Sequence, residues 1–343
     1  MKTFGLWNWQ FLASVLVFCL ASGCHLSSVH LWSVPDSTEP VDAEIESVRN
    51  VAYYQGLDFD DFRHRLDIYV PKGKKDFPVI VLVHGGAWTS GNNCQYGLFA
   101  SVGQFLAQQG IGVVLPNYRI SPAVKHPEHI LDVARAFAWT HQHIAEYGGN
   151  PEQLFLAGHS AGGHLVSLLA TDESYLQLVG LQSSAIKGVI SISGVYHISP
   201  KPLAVVLGGT ARQAVRIDQF LPLRNEVVWN WSPISSIPII PLRVDAFSVA
   251  FGDVPEIRLD ASPIQHVRPG LPPFLLFIAD RDLPTIPEGT RAFQTALVGQ
   301  GVTARVFQVN QRNHHSIMFR AVSTDDPAAR LMLEFVRQHS QKP

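Results

Sequence analysis

From residue 65 onwards, short apolar runs alternate with segments of helical periodicity. RLDIYV (65–70), FPVIVLVH (77–84), IGVVLPNY (111–118) and LFLAG (154–158) read as strands, as do GVISIS (188–193), PFLLFIA (273–279) and TARVFQV (303–309). The runs near 80, 113, 156 and 275 are almost unbroken in apolar residues. Strands buried on both faces have this character, and parallel sheets covered by helices supply them. In HILDVARAFAWTHQHIAEYG (129–148), Ile130, Val133, Ala134, Phe137, Ala138 and Ile144 fall on one face of a helix. A last helix is expected within 326–339. The alternation predicts an α/β fold with a mostly parallel central sheet flanked by helices. Residues 198–260 break the rhythm with proline, glycine, Trp229 and Trp231, and read as an insertion capping one end of the sheet.

The N-terminal pattern is different. MKTFGLWNWQFLASVLVFCLASGC has an early lysine, an apolar stretch too short to span a membrane comfortably, and small residues before Cys24. Residues 1–23 therefore read as a signal peptide. The stretch also resembles a bacterial lipobox, which implies lipidation of Cys24 and a membrane anchor at the cell envelope. Leu20 stands one place further from the cysteine than the usual lipobox leucine, with Ala21 in that place. Plain secretion and an uncleaved anchor are the alternatives. Residues 24–48 have the composition of a tether, which leaves 49–343 as the folded domain.

Composition narrows the function classes. The chain has 343 residues, 46% of them hydrophobic, enough for a substantial core. A formal net charge of −2 gives no basic footprint, so nucleic acid is not an expected partner. Of Cys19, Cys24 and Cys94, only Cys94 remains as a free thiol once the signal is removed and Cys24 is lipidated. It has no CxxC partner and reads as a small, partly buried thiol.

The chemistry begins at LFLAGHSAGGHLVSLLA (154–170). A strand runs into Gly158-His159-Ser160-Ala161-Gly162, and a helix pattern follows. G-x-S-x-G in this context holds a serine on a sharp turn, clear of the sheet. Residues two places either side of the serine must be small to avoid the strand and helix. Ser160 is the candidate nucleophile, and the backbone N–H of Ala161, at a helix start, points to where negative charge develops. His159 and His164 read as buried histidines placed by packing. A second loop, His84-Gly85-Gly86-Ala87-Trp88, ends an earlier strand, and its glycines let backbone N–H groups of Gly86 and Ala87 approach an oxyanion unobstructed.

With HGGAW, NYRISP (117–122), GHSAGGH and SPIQHVRPGLPPFLLFIADRDLP (262–284), the chain resembles α/β-hydrolase esterases of the carboxylesterase, feruloyl-esterase and kynurenine-formamidase-like group. The resemblance spans roughly residues 50–340 by motif order. It implies the chain order serine, acid, histidine, with the acid after a late strand and the base after the next one. The residues themselves leave two choices at each place. Asp280 and Asp282 share a strand parity, and His314 and His315 are adjacent, so only one of these histidines should face Ser160. The resemblance favours Asp282, which stands just before Leu283-Pro284, and His314, which is followed by one variable residue, Ser316 and Ile317. His126, His129, His141 and His143 lack a matching ligand set and read as surface or helix histidines. Neither a metal nor a cofactor is expected. The implied activity is hydrolysis of a small acyl ester through an acyl-enzyme. An arylformamidase or other amidase on the same machinery is one alternative. A catalytically silent hydrolase-fold binding protein is another.

Overall fold

The computed structural model describes residues 45–93, 97–200 and 246–340. The signal, Cys24, residues 24–44 of the tether, Cys94 and most of the expected insertion lie outside the described residues. Eight strands form one sheet: β1 (Ile45–Ala52), β2 (Arg65–Pro71), β3 (Phe77–Val83), β4 (Gly112–Pro116), β5 (Gly149–His159), β6 (Ile186–Ile192), β7 (Phe274–Arg281) and β8 (Ala304–Asn313). Their order is β1-β2-β4-β3-β5-β6-β7-β8. β1 and β2 pair antiparallel, as do β2 and β4, while every pair from β4 to β8 is parallel.

The sheet separates two apolar layers. Val79, Val81 and Val83 of β3 face one layer, whereas Ile80 and Leu82 face the other. The first layer is covered by α2 (Glu128–His143), α3 (Ala161–Thr171) and α6 (Ile286–Gly299); the second by α1 (Leu98–Gln108) and α7 (Pro327–Ser340). Side chains alternate across a strand, so a central strand must be apolar at every position to serve both layers. All six residues expected on the buried face of α2 and the turn that follows it are buried. Every residue of α3 is buried, which fits an element lying directly on the sheet. None of the described helices is long and apolar enough to cross a membrane.

Two expectations need correction. Residues 45–48, read by composition as tether, open β1; this edge strand is half exposed and so lacks a continuous apolar run. His126, read as a surface or helix histidine, is neither: it lies in the turn before α2 with its side chain 3% exposed, whereas His129 does lie on α2, fully buried. The end of the irregular 198–260 stretch holds two short helices, α4 (Ala246–Phe251) and α5 (Pro255–Asp260).

Parallel strands bring their carboxyl ends to one edge. His84 after β3, Ser160 after β5, Asp282 after β7 and His314 after β8 therefore gather at the edge where open α/β sheets bind ligands.

Candidate active site

Ser160 joins β5 to α3 with φ 56° and ψ −118°, a left-handed conformation that a side chain rarely adopts. Its N–H donates to the Ile192 carbonyl at 2.9 Å, and its carbonyl accepts from His164 N–H at 3.0 Å. The flanking glycines are required sterically. A Cβ on Gly162 would lie 2.1 Å from the Val83 carbonyl oxygen, and one on Gly158 would lie 2.3 Å from that of Gly162. Packing thus holds the strained turn in place.

The Ser160 hydroxyl lies 2.9 Å from His314 Nε2, and His314 Nδ1 lies 2.7 Å from Asp282 Oδ1. His314 is 7% exposed and the Asp282 side chain is fully buried. Asp282 Oδ2 accepts from the Ser193 hydroxyl at 2.5 Å and from Ala279 N–H at 3.0 Å, while Oδ1 accepts from Leu283 N–H at 2.9 Å. Burial alone would raise the Asp282 pKa. Hydrogen bonding and charge from His314, with Ser193 and Ala279, outweigh that and hold the carboxyl below its usual range. Asp280, by contrast, accepts from Arg312 N–H at 2.8 Å and stays outside this group.

The two histidines part at the end of β8. Asn313 Oδ1 accepts from the N–H groups of His315 and Ser316 at 3.1 and 2.8 Å, and Asn313 N–H donates to the Ser316 hydroxyl at 2.9 Å. These bonds close a side-chain turn just before the one-turn helix Ser316–Phe319, with His314 buried and His315 outside. His315 is left exposed, its ring touching those of His314 and His159.

Three consecutive residues of the glycine loop have positive φ: Gly86 at 120°, Ala87 at 51° and Trp88 at 59°. Alanine and tryptophan do not adopt such angles without support. The support comes from Trp88, which is 2% exposed and packs on Phe247 and Phe251. Its indole N–H donates to His164 Nδ1 at 3.2 Å, and His164 Nε2–H donates to the Ala261 carbonyl at 2.7 Å. The described part of the 198–260 stretch therefore buttresses this loop. Burial holds the His164 pKa at about 3, so it keeps the neutral tautomer this relay needs. Among the described residues, no acceptor takes the N–H of Gly86, Ala87 or Ala161. A Cβ on Gly85 would lie 3.2 Å from Ser160 Cβ, which marks how close the loop comes to the serine.

NYRISP has a structural part in the same edge. Asn117 Oδ1 accepts from Asn93 N–H at 2.6 Å, the Tyr118 hydroxyl donates to the His84 carbonyl at 3.2 Å, and Ser121 N–H donates to the Trp88 carbonyl at 2.8 Å. Arg119 makes a forked contact with the fully buried Asp132, both nitrogens at 2.8 Å. His64 Nε2 approaches the same carboxylate at 3.0 Å. Sequence reasoning did not single out Asp132 or Ser193, because neither carries a local motif. His159 and His164 are buried at 3% and 0% exposure, as packing predicted, though both also hold loops of this edge. Among the described residues, Asp172, Asp260 and His266 form a His–carboxylate group with ligand atoms within 4.8 Å of one another. Asp172 follows the last turn of α3, about 18 Å along the helix from Ser160 at 1.5 Å per residue.

The strand order and the loops at its carboxyl edge are those of the α/β-hydrolase fold. A family profile described as BD-FAE matches residues 66–225. Esterase LipC of Mycobacterium tuberculosis is 31% identical over 268 residues, 76% of this chain and 59% of the relative. A kynurenine formamidase of Salmo salar is 28% identical over 67% of this chain and 71% of its own. A truncated carbohydrate esterase from gut microbiota shares the fold with TM-score 0.65 at 21% identity, covering 87% of this chain and 97% of that one. The chain is similar to these esterases and to this formamidase, and it spans 59% of the length of LipC.

Proposed function

We propose that this protein is an exported serine hydrolase that cleaves carboxylic esters through an acyl-enzyme. The observation that carries the reading is the hydrogen-bonded line from Ser160 Oγ through His314 to Asp282, 2.9 and 2.7 Å long. His314 Nε2 takes the proton of Ser160, whose oxygen attacks the acyl carbon. Asp282 keeps the imidazole in the tautomer with Nδ1–H and stabilises the imidazolium. The N–H groups of Gly86, Ala87 and Ala161 receive the developing oxyanion; losing one such donor costs about 10²–10³ in rate in other serine hydrolases. His314 then protonates the leaving alcohol and later draws a proton from water for deacylation. The esterase relatives support an ester as the substrate.

A second reading, hydrolysis of an N-formyl or other amide bond, is favoured by the formamidase likeness. One experiment addresses both. Purified protein is treated with a fluorophosphonate probe, then assayed with p-nitrophenyl acetate and butyrate, a feruloyl ester and N-formylkynurenine. Labelling that disappears in Ser160→Ala, together with ester turnover, is expected. Faster turnover of N-formylkynurenine would transfer the assignment to the amide. Unlabelled, inactive wild-type protein would leave a silent binding protein. The proposed anchor is checked in the same preparation: Cys24→Ser should leave the membrane fraction, and unchanged retention would reject lipidation at Cys24.

A further inference from the structure

We infer that His159 is a positioning residue that references the base loop and the glycine loop to the nucleophile turn. The inference rests on the proposed roles of Ser160 and His314. His159 immediately precedes Ser160, at the last position of β5. Its Nε2 lies 2.6 Å from the main-chain carbonyl oxygen of His314, a contact that crosses 154 intervening residues of chain. A carbonyl can only accept, so the proton sits on Nε2 and Nδ1 is bare. The bond therefore ties the backbone of the proposed base to the residue beside the proposed nucleophile.

The other side of His159 meets the glycine loop. A Cβ on Gly85 would lie 2.9 Å from the His159 carbonyl oxygen and 3.1 Å from its Nδ1. Gly85 thus lies flat against this histidine, and only glycine permits that approach. The ring also packs near His314 at 4.9 Å and Phe319 at 6.0 Å between centroids. One buried side chain consequently touches all three loops that the reaction would need in register.

A neutral donor suits this place. Burial, with the nearby His314 adding to it, holds the His159 pKa at about 3. His159 stays uncharged when His314 takes the serine proton, and so does not oppose the imidazolium. A lysine or arginine would reach a carbonyl equally well but would place a positive charge beside one that must form. Misplacement of reacting groups by about 1 Å can cost on the order of 10² in rate. Loss of the His159 donor removes a direct restraint on the distance between His314 and Ser160.

The test compares His159→Leu with His159→Gln, whose amide nitrogen can occupy the Nε2 place. In the folded full chain, His159→Leu should lower kcat for p-nitrophenyl acetate by about 10–100-fold and leave KM within about threefold. His159→Gln should recover most of the loss. In a His314→Ala background, adding His159→Leu should change the residual rate by less than about threefold, because the group it positions is gone. If His159→Leu does not fold, His159→Asn, whose amide stops short of the His314 carbonyl, takes its place. A near wild-type kcat in the Leu variant, equal impairment of Leu and Gln, or an undiminished loss in the His314→Ala background would each overturn the inference. Wild-type activity untouched by Ser160→Ala would instead overturn the serine-hydrolase reading on which it stands.

Discussion

His314 and His315 have the same side chain and different surroundings. Only the first is held between a buried carboxylate and the Ser160 hydroxyl. His314→Ala should lower kcat/KM by ~10⁴–10⁶, and His315→Ala should stay within about threefold of wild type. The same contrast separates the acids. Asp282→Asn should cost about 10⁴ in kcat, because the amide imposes the wrong histidine tautomer. Asp280→Asn keeps an oxygen that can accept from Arg312 N–H, gives up only a solvent-exposed pairing with Arg281 at 4.0 Å, and should stay within a few fold. Steady-state kinetics on one activated ester decide all four, and an inactive His315→Ala with an active His314→Ala would reverse the assignment. Chain order narrowed each role to two residues. It could not go further, because 314 and 315 part at a turn closed by the Asn313 side chain, a contact without a motif.

At the scale of elements, legibility followed burial. β3, β5 and β7 lie inside the sheet and must be apolar on both faces, so their runs stand out in the sequence. β1 sits at an edge and is half exposed, so its first residues pass for tether. The turn at Ser160 was readable for a different reason: its geometry excludes every residue but glycine at two fixed places. Gly162→Ala should therefore cost about 2 kcal/mol or more, since the new Cβ meets the Val83 and His84 carbonyls at 2.1 and 2.6 Å. Gly299→Ala is the matched control. A Cβ there meets nothing within 4 Å and the residue ends α6, so the change should be neutral or stabilising by up to about 1 kcal/mol. Urea unfolding of both variants measures the difference, and equal stability would refute the steric account. The glycine loop reads in the sequence as a set of candidate donors but not as a strained loop, because its support comes from distant residues. Trp88 depends on His164, Phe247 and Phe251, and none of these is local to it in sequence.

For the whole molecule, the buried histidines link stability to pH. Burial is the main cause in each case, and it holds the pKa of His84, His129, His159 and His164 at about 3. In the unfolded chain each returns to about 6.5. Between those values the unfolded state binds more protons than the native state, so stability rises with pH across that window. As pH falls from about 6.5 towards 3, the folded state is progressively penalised. Asp282 works in the same direction over a lower range. Its depressed pKa stabilises the fold above the unfolded value near 4 and that contribution is lost as pH falls through the native value. Urea unfolding at pH 7 and pH 5 should show a lower midpoint at pH 5, with a loss on the order of 1–2 kcal/mol for each buried histidine. His129 is the informative site to alter, because its Nε2 contacts only the Ser121 hydroxyl among the described residues and its Nδ1 is buried without a partner. His129→Gln removes one group that must stay neutral, so its stability should change less between the two pH values than that of wild type. A wild-type midpoint that does not move between pH 7 and pH 5 would show that these imidazoles are not held neutral by the fold.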